Sequence, residues 1–191
     1  CTNMVSIRLA APKDFEFFYQ LKCEPSNIFW TGFDTPPERT SFQKWYERII
    51  QNQGEKTNRK IYIIMDNDTP VGHIYIEPSG SDVFDIPMAI SEKYWGHGYG
   101  KAAARLALEE ARSLGFRRFV GKIREDNTAS LHAYASLGIT FSGDYEMHYI
   151  PKLNKEVKML HLYKELSYIL LERSAHDGIR RRILLGSPYA F

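Results

Sequence analysis

Tyr94-Trp95-Gly96-His97-Gly98-Tyr99-Gly100-Lys101-Ala102-Ala103-Ala104 is the stretch on which the fold turns. Three glycines at alternate positions run directly into alanines. Glycine opposes a helix and alanine favours one, so a helix is expected to begin at about Gly98. Glycines also let the backbone take positive φ and approach a ligand closely. The helix start aims unpaired N–H groups at the same place, which suits an anion, and phosphate best. A ligand-free strand-to-helix turn is the plainer reading of one or two glycines. Three in alternation, directly ahead of an alanine-rich helix, favour phosphate.

Gly98 to Ala103 fits the loose dinucleotide pattern G-x-G-x-x-A. A dinucleotide fold would place it early, in a βαβ unit, with an acidic residue about 20 positions on. Here it follows a hairpin in mid-chain, and Glu125 lies beyond a further strand. The Gly-Lys-Ser/Thr of a nucleotide triphosphatase is absent.

Outward from the glycines the pattern is regular. Val5 to Leu9 alternates as a strand, and Pro12 opens a helix running to about Lys22. Residues 24–37 read as a loop from their Pro and Gly content, although Phe29, Trp30 and Phe33 make it rich in aromatics. Phe42, Trp45, Tyr46, Ile49 and Ile50 mark an amphipathic helix closed by Gly54. Lys60 to Met65 and Val71 to Ile76 form a hairpin around Asp66 to Pro70, and Val83 to Ile90 is a further strand. Then come the helix from Gly98 to Leu114, a strand over Arg118 to Ile123, a helix over Asn127 to Leu137, and strands over Ile139–Ile150 and Val157–Leu166. Residues 167–191 show no clean period and read as a tail of unknown role, by default a solvated extension.

The 191 residues are 43% apolar, enough for one domain with a real core. Lys plus Arg is 25 against 23 Asp plus Glu, which argues against a dedicated nucleic-acid binder but not against one small anionic ligand. Two cysteines give no disulfide framework, so a cytoplasmic protein is expected. No apolar run reaches the ~20 residues of a membrane span, and no apolar segment of the signal-peptide kind follows Cys1. The histidines show no metal-ligand spacing, so no metal is expected.

Ile90 to Gly100 resembles motif A of the GNAT superfamily of acyl-CoA N-acyltransferases, Gln/Arg-x-x-Gly-x-Gly/Ala after a strand. Trp95 replaces the usual Gln or Arg, which removes one side-chain contact and leaves the backbone cradle. Asn127 to Ile139 is similar to the family's Asn-x-x-Ala/Ser-x-x-x-Tyr-x-x-x-Gly-Phe segment, with Ile139 in place of Phe. The likeness covers residues 5–166. It implies an α+β GNAT fold: a largely antiparallel sheet of about seven strands, flanked by about four helices and splayed at the acyl-CoA site.

The resemblance implies an N-acetyltransferase with acetyl-CoA as the acyl-donor co-substrate. The pyrophosphate would lie on backbone N–H groups of Trp95, Gly96, His97, Gly98, Tyr99, Gly100 and Lys101. The pantetheine arm would pair with Met88, Ala89 and Ile90 as an added strand, and N–H groups near Ala89 and Ile90 would hold the thioester oxygen. Asn127, the expected N-cap, and Ser130 would add contacts. His97 reads more simply as a loop histidine. Lys101 and Arg105 fit either the 3′-phosphate or a solvated helix face. Tyr134 matches the family's proton donor to the coenzyme A sulfur, with a core tyrosine as the plainer reading.

The acceptor ammonium must lose a proton before attack. Asp85 sits where the family often places a strand carboxylate for this, and Glu77 is the alternative. Pro87 cannot donate to a ladder, which fits an interrupted edge or an ordinary bulge. Asn27, Phe29, Trp30 and Phe33 fall where the family builds its acceptor pocket. Aromatic faces there suit a small polar amine, such as an amino sugar or sugar nucleotide, or they plug the core. An enzyme acetylating protein N-termini of the ribosomal-protein type, or a coenzyme A sensor without turnover, are the alternatives. The molecule is expected to act as a monomer or homodimer on a small-molecule amine, without nucleic-acid or membrane partners.

Overall fold

The computed structural model describes residues 4–31, 35–166, 168–173 and 180–185, with side chains through 166 apart from residue 31. Strands β1 (Val5–Leu9), β2 (Lys60–Asp66), β3 (Thr69–Pro78), β4 (Val83–Asp85), β5 (Met88–Ile90), β6 (Arg118–Arg124), β7 (Thr140–Ile150) and β8 (Lys155–Glu165) form one sheet. Its order is β1-β2-β3-β4-β6-β8-β7, with β5 also paired to β3. Every pairing is antiparallel except β4 with β6. The helices are α1 (Phe15–Lys22), α2 (Pro25–Thr31), α3 (Arg39–Asn52), α4 (Tyr99–Ser113) and α5 (Thr128–Ala135). The α+β fold with a largely antiparallel sheet is as expected.

The sheet is covered on both faces, which explains why Lys60 to Met65 is buried throughout. Tyr62, Ile64, Ile74, Ile76 and Phe84 meet α4 on one face. Ala103, Ala104, Ala107 and Ala111 of α4 are fully buried there, since small side chains let the helix lie close to the strands. On the other face Ile61, Ile63, Met65 and Tyr75 pack with Phe15 and Phe18 of α1 and Tyr46 of α3. The Tyr46 hydroxyl donates to Ala11 O at 2.5 Å.

Three expectations are corrected. Residues 25–31 are helical rather than loop. Pro25 takes the first position, where its missing N–H breaks no intrahelical bond. The strand expected over residues 83–90 is two strands that break at Ile86 and Pro87. The tail contains the antiparallel pair β9 (Tyr168–Arg173) and β10 (Arg180–Leu185).

Candidate functional site

The sheet opens at one place. Val83 and Phe84 of β4 pair in parallel with Arg118 and Phe119 of β6. Beyond Pro87, β5 pairs with β3 and has no partner toward β6. Pro87 O accepts from Tyr75 N at 2.8 Å, and Val71 O accepts from Ser91 N at 2.9 Å. In antiparallel alternation these bonds assign Ala89's main-chain groups to β3 and leave those of Met88 and Ile90 facing the gap. One is already used, because Trp95 Nε1 donates to Ile90 O at 2.9 Å.

The glycine loop lies at the end of this gap. Gly96 and Gly98 have φ of 80° and 77°, a region costly for other residues. Gly98 is the N-cap of α4 and no side chain caps it, so the first-turn N–H groups have no side-chain acceptor. A Cβ on Gly96 or Gly98 would meet nothing within 4 Å, so open space lies beside the loop. Uncapped donors, a positive helix end and open space fit a diphosphate. His97 Nδ1 lies 3.0 Å from Tyr94 O and 2.9 Å from Trp95 O, and its ring stacks on Tyr99. Tyr99 is buried and its hydroxyl donates to Asp66. These two side chains brace the loop. Lys101 and Arg105 lie exposed on α4. Asn127 caps α5 by accepting from Ser130 N at 3.4 Å.

Asp85 lies where the strands part. Its Oδ1 accepts from Ile86 N at 2.7 Å. Burial pushes its pKa up to about 6; the Glu77 charge adds to the rise, while the Ile86 bond and Lys122 pull it back. Glu77, directly opposite Asp85 on β3, is bonded through both oxygens to Arg59, at 2.9 Å for Nη2. A carboxylate held by guanidinium is a poor proton acceptor. Tyr134 of α5 is half-buried, with its ring 6.0 Å from that of Phe119. Burial raises its pKa, and the Asp85 charge raises it further, so the phenol stays protonated.

Helix α2 crosses the mouth of the gap. At its start Glu24 accepts from Ser91 Oγ at 2.6 Å and Glu92 N at 2.9 Å, and Ser26 N donates to Glu92 at 2.9 Å. At its far end the Arg124 guanidinium lies 5.3 Å from the Phe29 ring and 4.8 Å from the Trp30 ring. Arg124 is also bonded to Asp126, at 3.1 and 2.8 Å. The helix is thus tied to the residues after β5 on one side and to the end of β6 on the other. Asn27 is buried, while Phe29 and Trp30 remain about 40% exposed and available to a ligand: 39% and 41%. Phe33 lies outside the described residues. The motifs gave no sign of Arg124 or Glu24.

Among the described residues no helix is long and apolar enough to cross a membrane, and no cluster of His, Cys, Asp or Glu is placed to hold a metal ion.

A family model for the acetyltransferase (GNAT) domain matches residues 5–140. Mycothiol acetyltransferase of Corynebacterium glutamicum (strain R) is 24% identical over 118 residues; the match spans 61% of this chain and only 40% of that protein. The structure is similar to that of spermidine N-acetyltransferase from Vibrio cholerae in complex with CoA and spermine, with a TM-score of 0.74 and 13% identity over 84% of this chain and 95% of that one. It is similar too to yncA from Salmonella typhimurium with its cofactor acetyl-CoA, with a TM-score of 0.70 and 20% identity over 93% of this chain and 100% of that one.

Proposed function

Because the chain belongs to the GNAT acetyltransferase family, we propose that it moves an acetyl group from acetyl-CoA to a primary amine of a small polar acceptor. Amino sugars and their nucleotides are the acceptor class that the exposed Phe29 and Trp30 rings suit. The observation that carries the reading is the gap between β5 and β6, which ends at an uncapped helix start and holds Asp85 at its apex.

The donor's diphosphate sits on the N–H groups of the glycine loop and the first turn of α4. Its pantetheine arm runs along Met88 and Ile90, and the N–H groups of that edge polarise the thioester oxygen. Asp85 accepts a proton from the acceptor ammonium. The freed nitrogen then attacks the thioester carbon and the C–S bond breaks; Tyr134 protonates the departing sulfur, and the second proton that the nitrogen loses on becoming the amide restores the phenol. A carboxylate with a pKa of about 6 is ionised at neutral pH yet more basic than an ordinary aspartate, as a general base requires. Thiol release from acetyl-CoA, assayed over a panel of amines, tests the reading. Turnover with a primary amine supports it, and binding of acetyl-CoA with no turnover on any amine would make the domain a sensor.

A further inference from the structure

The face of the sheet beneath α1 and α3 holds a cluster that the transfer chemistry leaves unused. His73 is 2% exposed and neither ring nitrogen has a hydrogen-bond partner. Its ring stacks on Tyr75 at 4.7 Å and meets the edge of Phe18 at 5.1 Å. Lys22, the last residue of α1, holds its ammonium 5.2 Å from the Tyr75 ring and 5.3 Å from Phe18, and forms no ion pair among the described residues. Arg59 lies over the same Tyr75 ring but is neutralised by Glu77. In the register of β3 with β5, His73 faces Ala89, on the strand that edges the gap.

Several of the surrounding charges are matched. Glu77 is paired with Arg59, Asp126 with Arg124 and Glu146 with Lys122. Glu24 and Glu92 accept from Ser91, from a main-chain N–H and from Ser26. Neither Asp85, proposed above as the base, nor Lys22 has an ion-pair partner among the described residues. A cation drawn into a protein without a counter-ion is costly. Beside it stands an imidazole with a donor and an acceptor both unused. Burial, and then the Arg59 charge, lower the Lys22 pKa to about 8, so it is mostly charged at neutral pH; burial keeps His73 neutral.

We infer that Lys22 and His73 form a subsite for an anionic oxygen group, a carboxylate or a phosphate ester, carried by the acceptor amine. The inference rests on the transferase reading above and narrows its substrate class. The ammonium supplies the countercharge and the imidazole N–H a directed bond. The same arrangement opposes polyamines, because a second positive charge at this place would meet Lys22.

The test is calorimetry on the full chain loaded with coenzyme A, using four amines of similar size: O-phosphoethanolamine, β-alanine, ethanolamine and 1,3-diaminopropane. At least one of the two anionic amines is expected to bind tenfold or more tighter than ethanolamine, with 1,3-diaminopropane weakest; the better of the two identifies phosphate or carboxylate. Lys22→Met keeps the stem over the rings and removes the charge. It is expected to bring all four amines within about threefold of one another, leave coenzyme A affinity unchanged, and raise the melting temperature without ligand. His73→Gln, which keeps one donor and one acceptor, provides a second variant and is expected to weaken the anionic amine severalfold. Equal binding of the four amines, no binding of any, preference for the diamine, or a preference that survives Lys22→Met would overturn the inference. Thiol release, measured separately, reports on the transferase reading, so loss of one is distinguishable from loss of the other.

Discussion

Asp85 Oδ1 lies 2.7 Å from the point that a β-carbon on Gly121 would occupy. The carboxylate therefore fills the place of a missing side chain on the neighbouring strand, at the point where β4 and β6 part. Phe119 Cζ is also 2.7 Å from that point, and the Phe119 ring meets both Phe84 and Tyr134. Gly121→Ala would displace Asp85, the Phe119 ring, or both. It is expected to lower kcat at least tenfold and to destabilise the fold by about 1–3 kcal/mol, the usual effect of overpacking. In an Asp85→Asn background the effect on rate should shrink while the effect on stability remains, because two residues in contact do not act additively. Steady-state rates and denaturant melts of the single and double variants check this.

Asp85 also sets a pH signature. Its pKa is raised from 3.8 to about 6, chiefly by burial. The rate needs the ionised form, so kcat/KM is expected to fall tenfold per pH unit below about 6. Stability runs the other way: the folded state prefers the protonated acid, so stability is lost as pH climbs from about 4 to 6 and stays lost above. Asp85→Asn keeps an acceptor for Ile86 N and removes the charge. It should be nearly inactive yet more stable at pH 7.5. A rise to about 6 corresponds to roughly 3 kcal/mol, reduced to about 1–2 kcal/mol because the carboxyl is half-buried and water screens it. The advantage should vanish below pH 4, where both forms are neutral. Lys122→Met removes a charge that holds the pKa down, and should move the acid limb of the rate profile upward.

The parts of the fold that follow from local pattern were readable in the residues. The glycine loop into α4, the β2–β3 hairpin and the apolar face of α3 need only spacing and propensity. Helix α2 was hidden because Pro25 and the flanking prolines resemble a loop, and proline is tolerated only at the first turn. The strand break at Pro87 was legible as one of two options; what decides it is that β5 answers to β3 and β4 to β6. The site was half-visible for the same reason. Motif residues announce themselves, while Gly121 under Asp85, Arg59 against Glu77 and Lys22 beside His73 join positions 36, 18 and 51 apart along the chain, and only tertiary packing brings them together.

Tyr134→Phe separates chemistry from packing. The ring contacts with Phe119 and the core survive the change, and only the hydroxyl is lost. A thiol is a fair leaving group without help, so kcat is expected to drop about tenfold or somewhat more. The rise in melting temperature on adding acetyl-CoA should be retained. If that rise disappears with the hydroxyl, Tyr134 shapes the donor site rather than protonating the sulfur.

Gly98→Ala addresses the diphosphate cradle. Gly98 holds φ of 77° as the N-cap of α4, and a β-carbon there would project into open space. Without ligand the variant therefore pays mainly the left-handed backbone penalty, about 1 kcal/mol. With ligand the methyl stands where the diphosphate must approach the first-turn N–H groups. The KM for acetyl-CoA is expected to rise tenfold or more while the melting temperature of the free protein falls only a few degrees. The acceptor dependence should stay unchanged, since Lys22 and His73 lie on the sheet face that α1 covers, opposite α4. Titration of acetyl-CoA by calorimetry, run beside thermal melts of the free protein, gives both numbers. Unaltered affinity in a folded Gly98→Ala protein would mean that the donor's phosphates bind elsewhere.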